Sequence, residues 1–163
     1  MMDSLDPKRR QEYDELMIRL QNTEECVVEV LEQRALSEGW GVIEKHVGSD
    51  VGCDLKLQKA KRVVFIEVKG ERESQKNAKG RVMMAMGQII MVMGENNPDN
   101  IYSFCVAFPD TDNFRKIVDK IPVDPWQKLG FKLILVDCPK KLVKVRQADS
   151  SMGTNLGNLD DLF

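Results

Sequence analysis

One histidine, His46, in 163 residues excludes any mechanism that needs two imidazoles, and its position at the end of a predicted strand reads as a surface residue. The four cysteines, Cys26, Cys53, Cys105 and Cys138, are scattered without a C-x-x-C pair, so neither a zinc site nor an iron–sulfur cluster has its usual ligand spacing. Cys53 and Cys105 fall in predicted strands and read as buried thiols of a reducing compartment. No stretch is long and uncharged enough to span a membrane, and the acidic N-terminus does not have the form of a signal peptide. A cytoplasmic protein is therefore expected. Strong net charge is also missing: 24 Lys and Arg against 26 Asp and Glu leave −2, which argues against a nonspecific coat for nucleic acid. No internal repeat is visible.

What is present is an ordinary core-forming composition, 42% hydrophobic and 31% charged, in a chain long enough for one domain plus tails. Residues 8–21 read as a helix with Tyr13, Leu16, Met17 and Leu20 on one stripe. Asn22 and Thr23 then offer a cap to a second helix that runs to Ser37 and stops at Gly39. Strands are expected at 40–47, 53–58 and 62–69, the last two joined by a tight turn at Lys59-Ala60-Lys61. A polar loop from Glu71 to Lys79 leads to a helix over 80–93 and, after a turn at 95–100, a strand over 101–108. Helical turns at 111–120 and 125–129 precede a last core strand, 131–136. The order αβββαβ followed by αβ predicts an α/β fold with a mixed central sheet flanked by helices. Residues 1–147 form the expected domain, with its core at about 23–137, and 148–163 a flexible acidic tail.

Within this frame Val63-Val64-Phe65-Ile66 is apolar and mostly β-branched, which suits a central strand covered on both faces. Glu67 and Lys69 interrupt it on one face while Val68 points into the other layer. Charges at the end of a buried strand are costly unless paired or metal-bound. With Asp54 on the preceding strand they fit phosphodiester hydrolysis. Asp54 and Glu67, helped by the Val68 carbonyl, would hold Mg²⁺ or Mn²⁺ from adjacent strands. Lys69 would orient the attacking water and offset negative charge on the phosphorane. The bland alternative is a Glu67–Lys69 surface pair on an edge strand.

The runs Gly39-Trp40-Gly41-Val42, Gly48-Ser49-Asp50-Val51-Gly52-Cys53-Asp54-Leu55 and Ile66-Glu67-Val68-Lys69-Gly70 together resemble the PD-(D/E)XK nuclease superfamily. Within it they are most similar to Mrr-type restriction enzymes, archaeal Holliday-junction resolvases and RecB-like nucleases. The resemblance covers about residues 23–137, and Gly52-Cys53 replaces the Pro that often precedes the Asp. It implies a restriction-endonuclease-like fold and a metal-dependent DNA endonuclease or exonuclease of repair, recombination or restriction. It also implies a helix-borne Glu beside the metal. Glu24 falls inside the stripe of Val27, Val28, Leu31 and Ala35, whereas Glu25, Glu29 and Glu32 lie at its margin or outside; a first-turn Glu favoured by the helix dipole is the alternative. Gln88, alone in an apolar Met-rich run, matches the Gln of RecB-like nucleases, although Val92 stands where their Tyr would be. Two other functions remain open: a binding module that recognises DNA or a repair partner without cutting, and an RNA-processing nuclease.

Lys56, Lys59, Lys61, Arg62, Arg72, Lys76, Lys79 and Arg81 bracket the proposed site. Of these, Lys56, Arg72, Lys76, Lys79 and Arg81 are the candidate substrate contacts of a local basic rim; a solvated Lys/Arg surface is the alternative. Cutting two strands from one site per chain makes a homodimer the expected assembly. The tail ends in Leu159-Asp160-Asp161-Leu162-Phe163 after a Ser-, Gly- and Asn-rich stretch. Leu159, Leu162 and Phe163 resemble the anchors of sliding-clamp peptides, with Leu156 in place of the usual Gln, and acidic tails ending in Phe also bind single-strand-binding proteins. A frayed terminus is the alternative.

Overall fold

The structure, a computed structural model, describes residues 6–47, 53–72, 77–94, 97–146 and 154–163. Helices α1 (Pro7–Gln21) and α2 (Glu24–Ser37) are followed by strands β1 (Gly41–Lys45), β2 (Leu55–Lys59) and β3 (Arg62–Val68), then α3 (Ala78–Val92) and β4 (Ile101–Pro109). After these come α4 (Asp112–Val118), α5 (Val123–Leu129), β5 (Phe131–Asp137), β6 (Leu142–Val145), β7 (Thr154–Asn155) and a closing 3-10 turn, Leu159–Leu162. The strands lie in one mixed sheet in sequence order. Among the described residues only the β3–β4 and β4–β5 pairs are parallel, and each spans a helical crossover, as parallel neighbours require. The α/β class and the mixed sheet stand as the sequence predicts.

β3 holds the middle because its side chains suit both layers. Val64, Ile66 and Val68 pack with Val27, Val28, Leu31 and Ala35 of α2. On the opposite face Val63 and Phe65 join Val82, Ala85 and Ile89 of α3 and Phe114 of α4. Fully burying side chains of this size contributes roughly 1.5–3 kcal/mol each. α2 starts at Thr23, whose hydroxyl accepts the Cys26 N–H at 3.3 Å. Among the described residues α1 buries none of its side chains, so the stripe of Tyr13, Leu16 and Leu20 is exposed. No helix of the described residues is long and apolar enough to cross a membrane.

The C-terminal end differs from expectation in two ways. Phe131–Asp137 is not the last core strand: β6 returns antiparallel to it and β7 pairs with β6. The second concerns the tail, which over 154–163 packs against the domain. Leu156, Leu159 and Leu162 enter the core between α2 and the sheet. Arg34 donates to the carbonyls of Leu156 (2.9 Å) and Gly157 (2.7 Å), and Glu38 accepts the Leu159 N–H at 2.7 Å. Ser103 donates to the Leu162 carbonyl at 2.9 Å, as does Lys132. Asp160 pairs with Lys59 and Arg62, and the Phe163 ring stacks on Trp40 at 6.1 Å. Leu159 and Leu162, both 0% exposed, are core residues in this structure, and Phe163 is exposed. A composition argument weighs the segment's own polarity. It misses that leucines three apart can complete a core built mostly by other elements. Residues 148–153 of the expected tail lie outside the described residues.

Candidate functional site

The β2–β3 register pairs Leu55 with Ile66, so Asp54, one residue earlier, comes opposite Glu67. Its carboxylate accepts the Val68 N–H at 2.6 Å, a backbone bond that fixes the side chain across the strand pair. The Lys69 N–H continues the ladder to the Ala107 carbonyl at 3.1 Å. Asp54, Glu67 and Lys69 are all buried, which removes the reading of an exposed pair on an edge strand. The Lys69 ammonium donates to Glu67 Oε1 and, at 3.1 Å, to the Val68 carbonyl. It also lies 3.9 Å from Asp54 Oδ2.

Glu24 is brought to the same end of the sheet by a close crossing that sequence reasoning missed. After Lys69 the chain passes over the start of α2, where the Glu71 N–H donates to the Asn22 carbonyl at 2.8 Å. A Cβ on Gly70 would fall 2.1 Å from the Glu24 nitrogen and 2.4 Å from the Thr23 carbonyl carbon. Only glycine permits that approach. Glu24 is buried while Glu25 and Glu29 are exposed, as the helical stripe predicts, and it pairs with Arg81 of α3 at 3.1 Å. Glu71, the other missed residue, is buried and accepts from the Thr111 hydroxyl at 2.5 Å and from Asn113. No periodic pattern marks it, because it lies in a loop and its partners are some forty residues away.

Burial pushes the Glu67 carboxyl up to about 7, against the lowering effect of its hydrogen bond from Lys69. Burial likewise raises Asp54, opposed by the Val68 N–H and then by the charge of Lys69. Arg81 is lowered by burial and by the neighbouring charge of Arg72, yet a guanidinium remains charged at neutral pH. Glu24 is matched by Arg81, whereas Asp54 and Glu67 share the one ammonium of Lys69, so the strand end can take a further cation in place of the protons that burial favours on these two carboxyls. Among the described residues no group of three or more His, Cys, Asp or Glu is arranged to hold a metal. Mg²⁺, however, commonly takes one or two carboxylates and keeps several waters. Two carboxylates and a carbonyl converging on an ammonium fit that donor set.

The remaining predicted residues are less gathered. Gln88 is half-buried with Oε1 buried and unpaired; no hydrogen bond among the described residues ties it to Asp54 or Glu67. Lys56 pairs with Glu44 at 3.2 Å and lies over the Phe65 ring, and so is engaged within the sheet. Arg72 and Lys79 are exposed. Lys76, and the Gly48–Gly52 part of the motif, lie outside the described residues. His46 is an exposed strand-end residue 3.5 Å from Glu44, and Cys53 and Cys105 are buried.

The chain is thus an α/β protein with a buried carboxylate–lysine cluster at the end of its central strand. No protein-family model matches it, and no curated protein matches it in sequence. Its fold is shared with a solved XisH family protein from Nostoc punctiforme PCC 73102, at 18% identity and a TM-score of 0.50, covering 75% of this chain and 97% of that one. A fdxN element excision controlling factor protein from Anabaena variabilis is also similar, at 16% identity and a TM-score of 0.41, over 76% of this chain and 97% of that one.

Proposed function

We propose that this chain is a metal-dependent nuclease of the PD-(D/E)XK type that hydrolyses DNA phosphodiester bonds. The convergence of Asp54, Glu67 and the Val68 carbonyl on one point beside Lys69 carries this reading. Asp54 and Glu67 would hold Mg²⁺ or Mn²⁺ from adjacent strands, helped by the Val68 carbonyl. A bound ion of this kind supplies Lewis acidity and a water of lowered pKa. Lys69 sets a positive charge against the oxygen charge that grows in the transition state, where a preorganised cation in a dry site is most effective. Glu24 holds Arg81, and Arg72 lies near it and is exposed, so these guanidiniums would be the donors to DNA phosphates. One such site cuts one strand, so duplex cleavage favours two chains.

The test is incubation of purified protein with supercoiled plasmid and, in parallel, with RNA, in Mg²⁺, in Mn²⁺ and in EDTA. Metal-dependent nicking or linearisation of the plasmid supports the reading. Preferential RNA cleavage moves the substrate to RNA. DNA binding without cleavage under either metal would replace the enzyme with a non-cleaving recognition module.

A further inference from the structure

Of the three groups assigned to the metal, the Lys69 ammonium touches two, Glu67 and the Val68 carbonyl, and lies close to the third, Asp54. Nζ donates to Glu67 Oε1 and to the Val68 carbonyl at 3.1 Å, and lies 3.9 Å from Asp54 Oδ2. Mg²⁺ binds oxygen at about 2.0–2.1 Å. An ion held by Glu67 Oε1 and the Val68 carbonyl would therefore sit within the ammonium's own contact shell, among buried side chains where two cations repel strongly. Both cannot keep these contacts together.

We propose that Lys69 is the resident cation of the metal-free site, and that a divalent metal enters by displacing its ammonium from Glu67, Val68 and Asp54. This rests on the metal-site reading above and adds an exchange to it. In the metal-free chain the ammonium offsets the charge of the Glu67 carboxylate it touches and part of that of Asp54, where a buried carboxylate without a cation is costly. The metal takes over that role when it arrives. The released ammonium, tethered at the end of β3 one residue from Gly70, is then free to meet an incoming phosphate. Lys69 is thus a positioning residue for metal loading before it acts on substrate, and metal affinity is set partly by a competitor within the chain.

The competition is read without DNA and without turnover. Free Mn²⁺ is followed by its electron paramagnetic resonance signal while wild type and Lys69→Met are titrated, with folding checked by circular dichroism. Removal of the internal competitor should tighten Mn²⁺ binding at least tenfold in Lys69→Met. Equal or weaker binding by the folded variant, with wild type still binding, would overturn the exchange and leave the metal site standing. No Mn²⁺ binding by either protein would remove the metal reading and the exchange together. Should Lys69→Met fail to fold, the wild type carries the test through its lysine ammonium ¹⁵N resonances. Saturating Mg²⁺ should shift or broaden the hydrogen-bonded, slowly exchanging Lys69 signal. An unchanged signal while Mg²⁺ binds would overturn the proposal.

Discussion

Gly70→Ala is the smallest change that tests how the fold builds the site. The new Cβ would lie 2.1 Å from the Glu24 nitrogen and 2.8 Å from its Cα, both backbone atoms, whereas ordinary contact begins at 3.4 Å. The end of β3 and the start of α2 must therefore part by more than about 1 Å, since a backbone cannot turn aside as a side chain does. Overpacking of this kind costs about 1–3 kcal/mol, which for a chain of this length lowers Tm by roughly 2–12 °C. The larger effect should fall on the site. The same movement stretches the Glu71–Asn22 backbone bond of 2.8 Å and carries Glu24 away from the strand end. Misplacement by about 1 Å can lower a rate on the order of a hundredfold. The assay is thermal denaturation with circular dichroism, alongside the initial rate of plasmid cleavage at saturating Mg²⁺. A Gly70→Ala protein with wild-type Tm and wild-type rate would refute the close crossing as the device that positions Glu24.

Leu162→Ala should lower stability by about 2–5 kcal/mol, the range for a fully buried leucine, measured by urea denaturation; a loss below 0.5 kcal/mol would indicate a detached tail. Asp160 is held below the ordinary carboxylate value first by its hydrogen bond from Lys59 and then by that from Arg62. Because the folded pKa is the lower one, the stabilisation is complete above the unfolded value and disappears as pH falls through the folded one. Acidification through that folded value should therefore weaken the Asp160 pairs beside the C-terminus, read as a shift in the fluorescence of Trp40, on which Phe163 stacks, and Asp160→Asn should remove that pH dependence. Arg81→Met leaves Glu24 buried without its cation, so it should destabilise the chain by about 3–5 kcal/mol, and Glu24→Gln in the same chain should recover most of the loss.

Elements whose periodicity is internal were legible in the sequence. α2 and β3 are examples: the stripe that places Glu24 inward, and the alternation that separates Glu67 and Lys69 from Val68, are local properties read at 3.6 and 2 residues. The register bringing Asp54 opposite Glu67 follows from a short hairpin and was within reach of the same reasoning. Partners distant in sequence were not legible. Nothing local announces that Gly70 crosses α2, that Glu71 finds Thr111 and Asn113, or that Leu156, Leu159 and Leu162 close the core under a segment that reads as polar. Lys56 shows the same limit from the other side, since a basic residue near a site in sequence can have its charge matched by a neighbouring strand, here by Glu44.

The proposed function has Asp54 and Glu67 hold a catalytic metal beside Lys69. Its most direct test is the rate of Mg²⁺-dependent plasmid cleavage by Asp54→Asn against wild type, with the variant's fold verified by circular dichroism. This substitution keeps the size of the side chain and an oxygen to accept the Val68 N–H, while removing the charge a metal needs. Cleavage by wild type that EDTA abolishes is expected, with a loss of at least about a hundredfold in the folded variant. Undiminished cleavage by folded Asp54→Asn, or wild-type cleavage indifferent to EDTA, would contradict it.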